Sequence, residues 1–346
     1  MIIDAVLARN EQELLDFRCS YLGDSVDRII IGESPVTFSG QPRDLFFAPK
    51  LAAGELPPFV DVVVTQVPES VVQTKSTVAI QDSIRFAFLQ EVTNRFPDAF
   101  VIFEDVDEFP SLGQLDAIRK LPETDTVLTV PMAMMSRRAN WELLRKKKGW
   151  RSVKVVRGST TVPNLRSHFP GKEVGGEWGV HFSYLGMSTD FLKDKFRQYG
   201  HQEFNFPHIW TDEYLEFCDR FGVDHLGLTK NDGNGLLSAI PDADLNEVQR
   251  RAIAFEPQWA GSDFGYTRAH RLVCAQVARL YIRSGGQWQL FSSDGLRLKP
   301  IGFLLGIGLV VASAVARVFA AGRQAIRRKS KGLSRKLSSG ARRRTT

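Results

Sequence analysis

Cysteine is scarce in this 346-residue chain: Cys19, Cys218 and Cys274 are odd in number, far apart and in no metal-ligand spacing. That excludes a disulfide framework and a cysteine-built zinc site, and fits a reducing compartment. A secretory leader is missing too, since Met1-Ile-Ile-Asp4 runs straight into a strand pattern without a basic n-region. The expectation is a body that stays in the cytoplasm. No internal repeat is evident, and no acid occurs after position 300. The segment 301–346 carries eleven Lys and Arg, which leaves 34 basic against 39 acidic residues ahead of it. A net charge of +6 therefore divides into an acidic body and a basic tail. A nucleic-acid binder with a uniformly basic surface would not divide this way.

What is present is an ordinary globular composition, 43% hydrophobic and 24% charged, long enough for one large α/β domain or two smaller ones. The most informative stretch is Phe100 to Pro110, an unbroken apolar run that ends in Glu104, Asp105, Asp107 and Glu108. Such a run reads as a buried parallel strand, and its acids then sit at the C-terminal edge of the sheet, where open α/β sheets bind ligands. On an extended strand Asp105 and Asp107 share a side, and two hard carboxylates suit Mn²⁺ or Mg²⁺. The alternative is an acidic turn ahead of a helix capped by Ser111.

Ile2–Ala8, Val26–Gly32 and Phe59–Thr65 read as further strands, with helices over Glu11–Leu22 and Thr77–Phe96 between strands. This alternation argues for a doubly wound, mostly parallel sheet flanked by helices. Asn10 and Glu11 follow the first strand and Glu33-Ser34 the second, either as ligand contacts or as helix caps. A helix over Leu112–Leu121 and a strand over Thr126–Met132 come next. Arg137–Trp150 interleaves cations with Trp141 and Trp150, which suits phosphate and sugar or, equally, a solvated helix face. Glu177–Gly186 reads as a strand carrying Trp178 and His181, Thr189–Tyr199 as a helix, and Gly265–Ser284 as a helix packing on the body.

The order of Asn10-Glu11, Glu33-Ser34 with Thr37 to Gly40, Glu104 to Pro110, Trp178 to Gly186 and His201-Gln202-Glu203 resembles the family 17 glycosyltransferases, whose animal members add a bisecting N-acetylglucosamine to N-glycans. The resemblance covers roughly positions 1 to 210. The family commonly has Gly-Trp-His where this chain has Gly179-Val180-His181. It implies a GT-A-like nucleotide-sugar transferase that is metal-dependent and inverting, with UDP-N-acetylglucosamine as first-choice donor and a glycan or lipid-linked glycan as acceptor. Under it Asp105, Asp107 and His181 are expected to hold Mn²⁺ or Mg²⁺. Asn10, Glu11, Glu33, Glu104 and Asp105 are expected at the donor. Glu203 and Asp212 are candidates for the carboxylate that takes the acceptor proton. Trp141, Trp178, His201 and Gln202 are candidates for acceptor or phosphate contacts. The competing readings are a nucleotidyltransferase on a similar sheet and a non-catalytic membrane-bound scaffold.

Ile301–Ala316 is sixteen residues without a charge, and Arg317 precedes another short apolar run. A spanning helix needs about 20 such residues, so an interfacial helix followed by a basic tail at anionic lipid is expected. A full span would also divide the basic tail from the body and its cytosolic donor. The resulting organisation is a transferase domain over 1–300, an apolar membrane-associating helix over 301–322 and a basic tail over 323–346. The expected place is the cytoplasmic face of a membrane, with no nucleic-acid partner.

Overall fold

The computed structural model describes residues 1–122, 127–143, 149–157, 165–168, 172–198, 202, 205–226, 236–287, 299–300, 302 and 304–312. In chain order the strands are β1 (Ile2–Leu7), β2 (Arg28–Glu33), β3 (Val60–Val64), β4 (Phe100–Asp105), β5 (Glu108–Phe109) and β6 (Leu128–Thr129), then β7 (Met132–Ser136), β8 (Trp141–Leu143), β9 (Lys154–Arg157), β10 (Lys172–Glu173), β11 (Gly179–Ser183) and β12 (Leu237–Ala239). The helices are α1 (Gln12–Leu22), α2 (Phe47–Ala52), α3 (Glu69–Gln73), α4 (Thr77–Arg95), α5 (Leu112–Arg119), α6 (Leu165–His168), α7 (Thr189–Gln198), α8 (Asp212–Phe221), α9 (Glu247–Phe255) and α10 (Arg268–Arg283).

Two sheets result. The larger has the order β10-β6-β9-β4-β1-β2-β3, and its centre β4-β1-β2-β3 is parallel, as strand-helix alternation requires. The smaller runs β12-β8-β7-β11-β5, with β7 and β11 parallel and the other pairs antiparallel. The architecture is thus mixed α/β, with parallel-rich sheets flanked by helices.

Burial on both faces makes the central strands continuously apolar, and their alternation assigns each face a helix. Ile102 of β4 packs in one core with Leu14, Leu15 and Phe17 of α1, whereas Val101 and Phe103 join Ile84, Phe88 and Val92 of α4 in another. A third core unites α7, α8 and α10 through Phe196, Trp210, Tyr214 and Val277.

The strand expected over Thr126–Met132 is broken in two. Pro131 has no N–H for a ladder, and there the chain leaves β6 of the larger sheet and begins β7 of the smaller. The described part of Arg137–Trp150 is also no helix face: Arg137 has a positive φ of 65° and leads into β8. Residues 144–148, with most of the expected cations, lie outside the described residues. Of the C-terminal segment, residues 304–312 are helical. Among the described residues no helix is long and apolar enough to cross a membrane.

Candidate active site

A cavity of about 270 Å³ lies at the C-terminal edge of the parallel strands. One wall is built where those strands end, from Leu7 to Arg9 and Glu11 after β1, Gly32 and Ser34 at β2, and Asp105 to Asp107 at β4. The other comes from the smaller sheet, through Met134, Ser136, His181 and Ser183. Lys195 and Gln198 of α7 and Asp224 beyond α8 complete it.

Strand alternation decides which acids of β4 reach this space. Glu104 shares the face of Ile102, toward α1, and is fully buried against the Arg18 guanidinium, 2.8 Å away. Asp105 faces the α4 side, where Arg85 Nη2 lies at 3.1 Å and Arg166 Nη1 at 2.8 Å. Burial alone would raise the Asp105 pKa, but Arg166 and then Arg85 hold it below the usual carboxylate range.

β4 ends at Asp105, so the shared side expected for Asp105 and Asp107 does not persist through the turn. Asp107 instead turns to the smaller sheet, tied there by the Phe182 amide donating to its carbonyl at 2.8 Å. Its Oδ1 is 3.7 Å from His181 Nε2, and its Oδ2 is 3.6 Å from Lys195 Nζ. Lys195 also lies 3.5 Å from Glu11 Oε1. Glu11 accepts from the amides of Arg9 and Asn10 at 2.8 and 3.2 Å. Burial pushes Glu11 up, yet Lys195 and those amides prevail and its pKa is lowered.

The cavity therefore gathers Glu11, Asp105, Asp107 and His181 from the residues the sequence singles out. It does not gather Glu33 or Glu104. The Glu33 carboxylate accepts from the amides of Phe46, Phe47 and Ala48 at 2.8 to 3.0 Å, holding the start of α2. Asn10 stands beside the cavity without lining it, and its Oδ1 is buried with no hydrogen-bond partner. Trp141 donates to the Ser262 carbonyl and packs on Phe264, while Trp178 stacks against Arg151. Gln202 donates to the Phe196 carbonyl at the end of α7. Asp212 is exposed at the start of α8 and accepts from the Thr189 hydroxyl. His201 and Glu203 lie outside the described residues.

Sequence reasoning misses the cations around these acids. Arg9, Arg43 and Lys195 line the cavity, and Arg9 Nε and Nη2 are buried with no hydrogen-bond partner. Arg85 could have been found, because it interrupts an otherwise inward-facing row of α4 beside Ile84 and Phe88. Arg166 gives no such signal, since it lies on a four-residue helix in an aperiodic stretch.

Among the described residues no group of three His, Cys, Asp or Glu side chains is close enough to hold a metal ion unaided. Asp107 and His181 nevertheless suit a shared ion. Ligands bonded at about 2.1 Å can sit 3.7 Å apart, and Mg²⁺-type ions habitually complete their shell with water and substrate phosphate. Asp105, already between two guanidinium groups, is the weaker candidate. The model of glycosyltransferase family 17 matches residues 1–214, which includes every cavity acid except Asp224. No curated protein matches the chain.

Proposed function

This chain belongs to glycosyltransferase family 17, and from that premise we propose a metal-dependent, inverting transfer of N-acetylglucosamine from its UDP donor to a glycan or lipid-linked glycan. That it is a glycosyltransferase, with a nucleotide-sugar donor and a glycan acceptor, follows from the family. The observation supporting the finer reading is one cavity holding the Asp107–His181 pair beside Arg9 and Lys195. A GT-A type of sheet is the matching architecture.

In this reading Asp107 and His181 would hold Mn²⁺ or Mg²⁺, which would supply a Lewis acid for the charge on the departing diphosphate. Arg9 donates its unpartnered guanidinium N–H groups to phosphate oxygens, and Lys195 adds a second cation from α7. Arg85 and Arg166 fix Asp105, leaving its outer lone pairs for the hydroxyl groups of the donor. The apolar side of the smaller sheet, Met134 and Trp150, excludes water from the reacting carbon.

The enzyme is proposed to work at the cytoplasmic face of an anionic membrane, held by residues 301–346. This suits a cytosolic donor and a lipid-linked acceptor.

A titration of UDP with and without Mn²⁺ tests the donor site. Wild-type protein is expected to bind UDP in a manganese-dependent way, and Asp107→Ala to lose at least tenfold of that affinity. Incubation with UDP-N-acetylglucosamine should release UDP and free sugar. Release of UMP and sugar phosphate, or no nucleotide binding at all, would overturn the reading.

A further inference from the structure

Arg9 is a cavity cation whose hydrogen bonding the fold leaves unfinished. Its Nε and Nη2 are buried with no hydrogen-bond partner, while its Nη1 donates to Asp194 Oδ2 at 2.8 Å. We infer that Asp194 is a positioning residue for the donor: through Arg9 it sets where a diphosphate oxygen is held. The inference rests on the transferase reading above. It adds a residue that does not itself line the cavity.

Helical spacing on α7 brings Asp194 to this place. Leu192 and Phe196, four residues apart, are buried in the third core, where Phe196 stacks on Trp210. Phe191, Asp194, Lys195 and Gln198 follow the i, i+3, i+4, i+7 spacing of a neighbouring face, and that face meets the end of β1. The Arg9 guanidinium lies over the Phe191 ring, 4.8 Å from its centroid. The other carboxylate oxygen of Asp194 accepts from Gln198 Nε2 at 2.9 Å, so one carboxylate holds two side chains that line the cavity. α7 is tied in turn to the loop after β2. There the Ser39 amide donates to the Gln198 carbonyl at 3.2 Å, and the Ser39 hydroxyl donates to the Arg197 carbonyl at 3.0 Å.

A guanidinium is planar and presents its donors in a rigid fork, so holding one N–H and one face determines where the others aim. Asp194 and Phe191 supply those two constraints. A buried N–H without an acceptor is costly, and a phosphate oxygen is the acceptor that completes it. The alternative is an ordinary ion pair of little consequence, since the Arg9 and Asp194 side chains are 14% and 48% exposed. Charge and positioning predict opposite signs. As a bare negative charge beside an anion site, Asp194 repels the diphosphate, and its removal tightens binding. As the anchor of Arg9, its removal weakens binding.

The test measures binding of UDP and of uridine to the full chain with Mn²⁺ by calorimetry. Asp194→Ala is expected to weaken UDP about tenfold, and Arg9→Ala about 10- to 100-fold. Asp194→Asn keeps an acceptor for Arg9 without the charge, and should bind UDP within a few-fold of wild type. In the Arg9→Ala background, Asp194→Ala should cost little more, because its effect passes through Arg9. Uridine has no phosphate, so neither substitution should change its affinity. Alanine suits a half-exposed helical position, which keeps the variant folded. UDP binding by Asp194→Ala as tight as wild type or tighter would overturn the assignment. So would a full second loss in the Arg9→Ala background, or an equal loss of uridine, which marks a merely structural role. Wild-type protein that binds no UDP identifies a failure of the transferase reading itself.

Discussion

Next to Asp224, the His225 imidazole is fully enclosed, with its Nε2 in contact with no hydrogen-bond partner. Burial first, and then Arg137, push its pKa down to about 3. The ring packs edge-on against Tyr184 and Trp210 as a neutral aromatic. Unfolding exposes it to water, where histidine titrates near about 6.5. Between that value and about 3 the unfolded chain binds a proton that the folded chain refuses, so His225 makes stability fall as pH falls through this window. Denaturation of His225→Phe at pH 7, 6, 5 and 4 should show a shallower acid loss than wild type, by up to about 1.4 kcal/mol per pH unit. Equal slopes would mean that the folded protein protonates His225 in place. Nothing periodic surrounds Val223-Asp224-His225, so neither residue stands out in the sequence. Asp105 and Asp107 do stand out, because an apolar run ends at them. Their separate partners were not legible, since these depend on the strand ending between them.

At the scale of elements, β1, β4 and α1 are locked by one buried arginine. Arg18 Nη1 lies 2.8 Å from both Asp4 and Glu104, and all three side chains are fully buried. Its Nη2 donates to the Val106 carbonyl at 3.3 Å and to that of Glu108, beneath the turn that presents Asp107. Burial, with Asp4 beside it, pushes Glu104 well above the usual carboxylate range despite Arg18. Removing the cation leaves two buried acids unmatched, so Arg18→Met is expected to lose about 3–5 kcal/mol in urea denaturation. Adding Glu104→Gln should recover part of that loss, because it removes one of the two buried acids left without the cation. No recovery would show that Arg18 acts through packing on Phe109, whose ring lies 4.5 Å away. The sequence marks Arg18 by placing it in an apolar helical row, and strand-helix alternation made the parallel centre readable as far as Pro110. Of the smaller sheet β11 was readable, within the strand expected over Glu177–Gly186, but its partners were not. The strands of this sheet are two to five residues long and pair across wide gaps in sequence, as β12 does with β8.

At the scale of the whole molecule, the proposed membrane association rests on the C-terminal segment. The helical residues 304–312 dock on α10 where Gly306 approaches closely: a Cβ there would meet Val273 Cγ1 at 2.6 Å and its carbonyl oxygen at 2.9 Å. The opposite stripe, Leu304, Ile307 and Val311, repeats at three and four residues and is exposed, Leu304 by 68% and Val311 by 55%. In the proposed membrane association this stripe would leave water for the acyl boundary, and the basic residues that follow would add attraction to anionic headgroups. Both contributions should be separable by sedimentation with vesicles of phosphatidylcholine, with and without phosphatidylserine. Wild-type protein is expected to pellet with the anionic vesicles and to be released as salt rises past the point where the Debye length falls below about 8 Å. The variant with Leu304, Ile307 and Val311 all changed to Ser should stay in the supernatant at any salt, since charge alone at this density gives only weak, reversible binding. Deleting 301–346 should do the same, and a deleted protein that still pellets would place the membrane contact on the body.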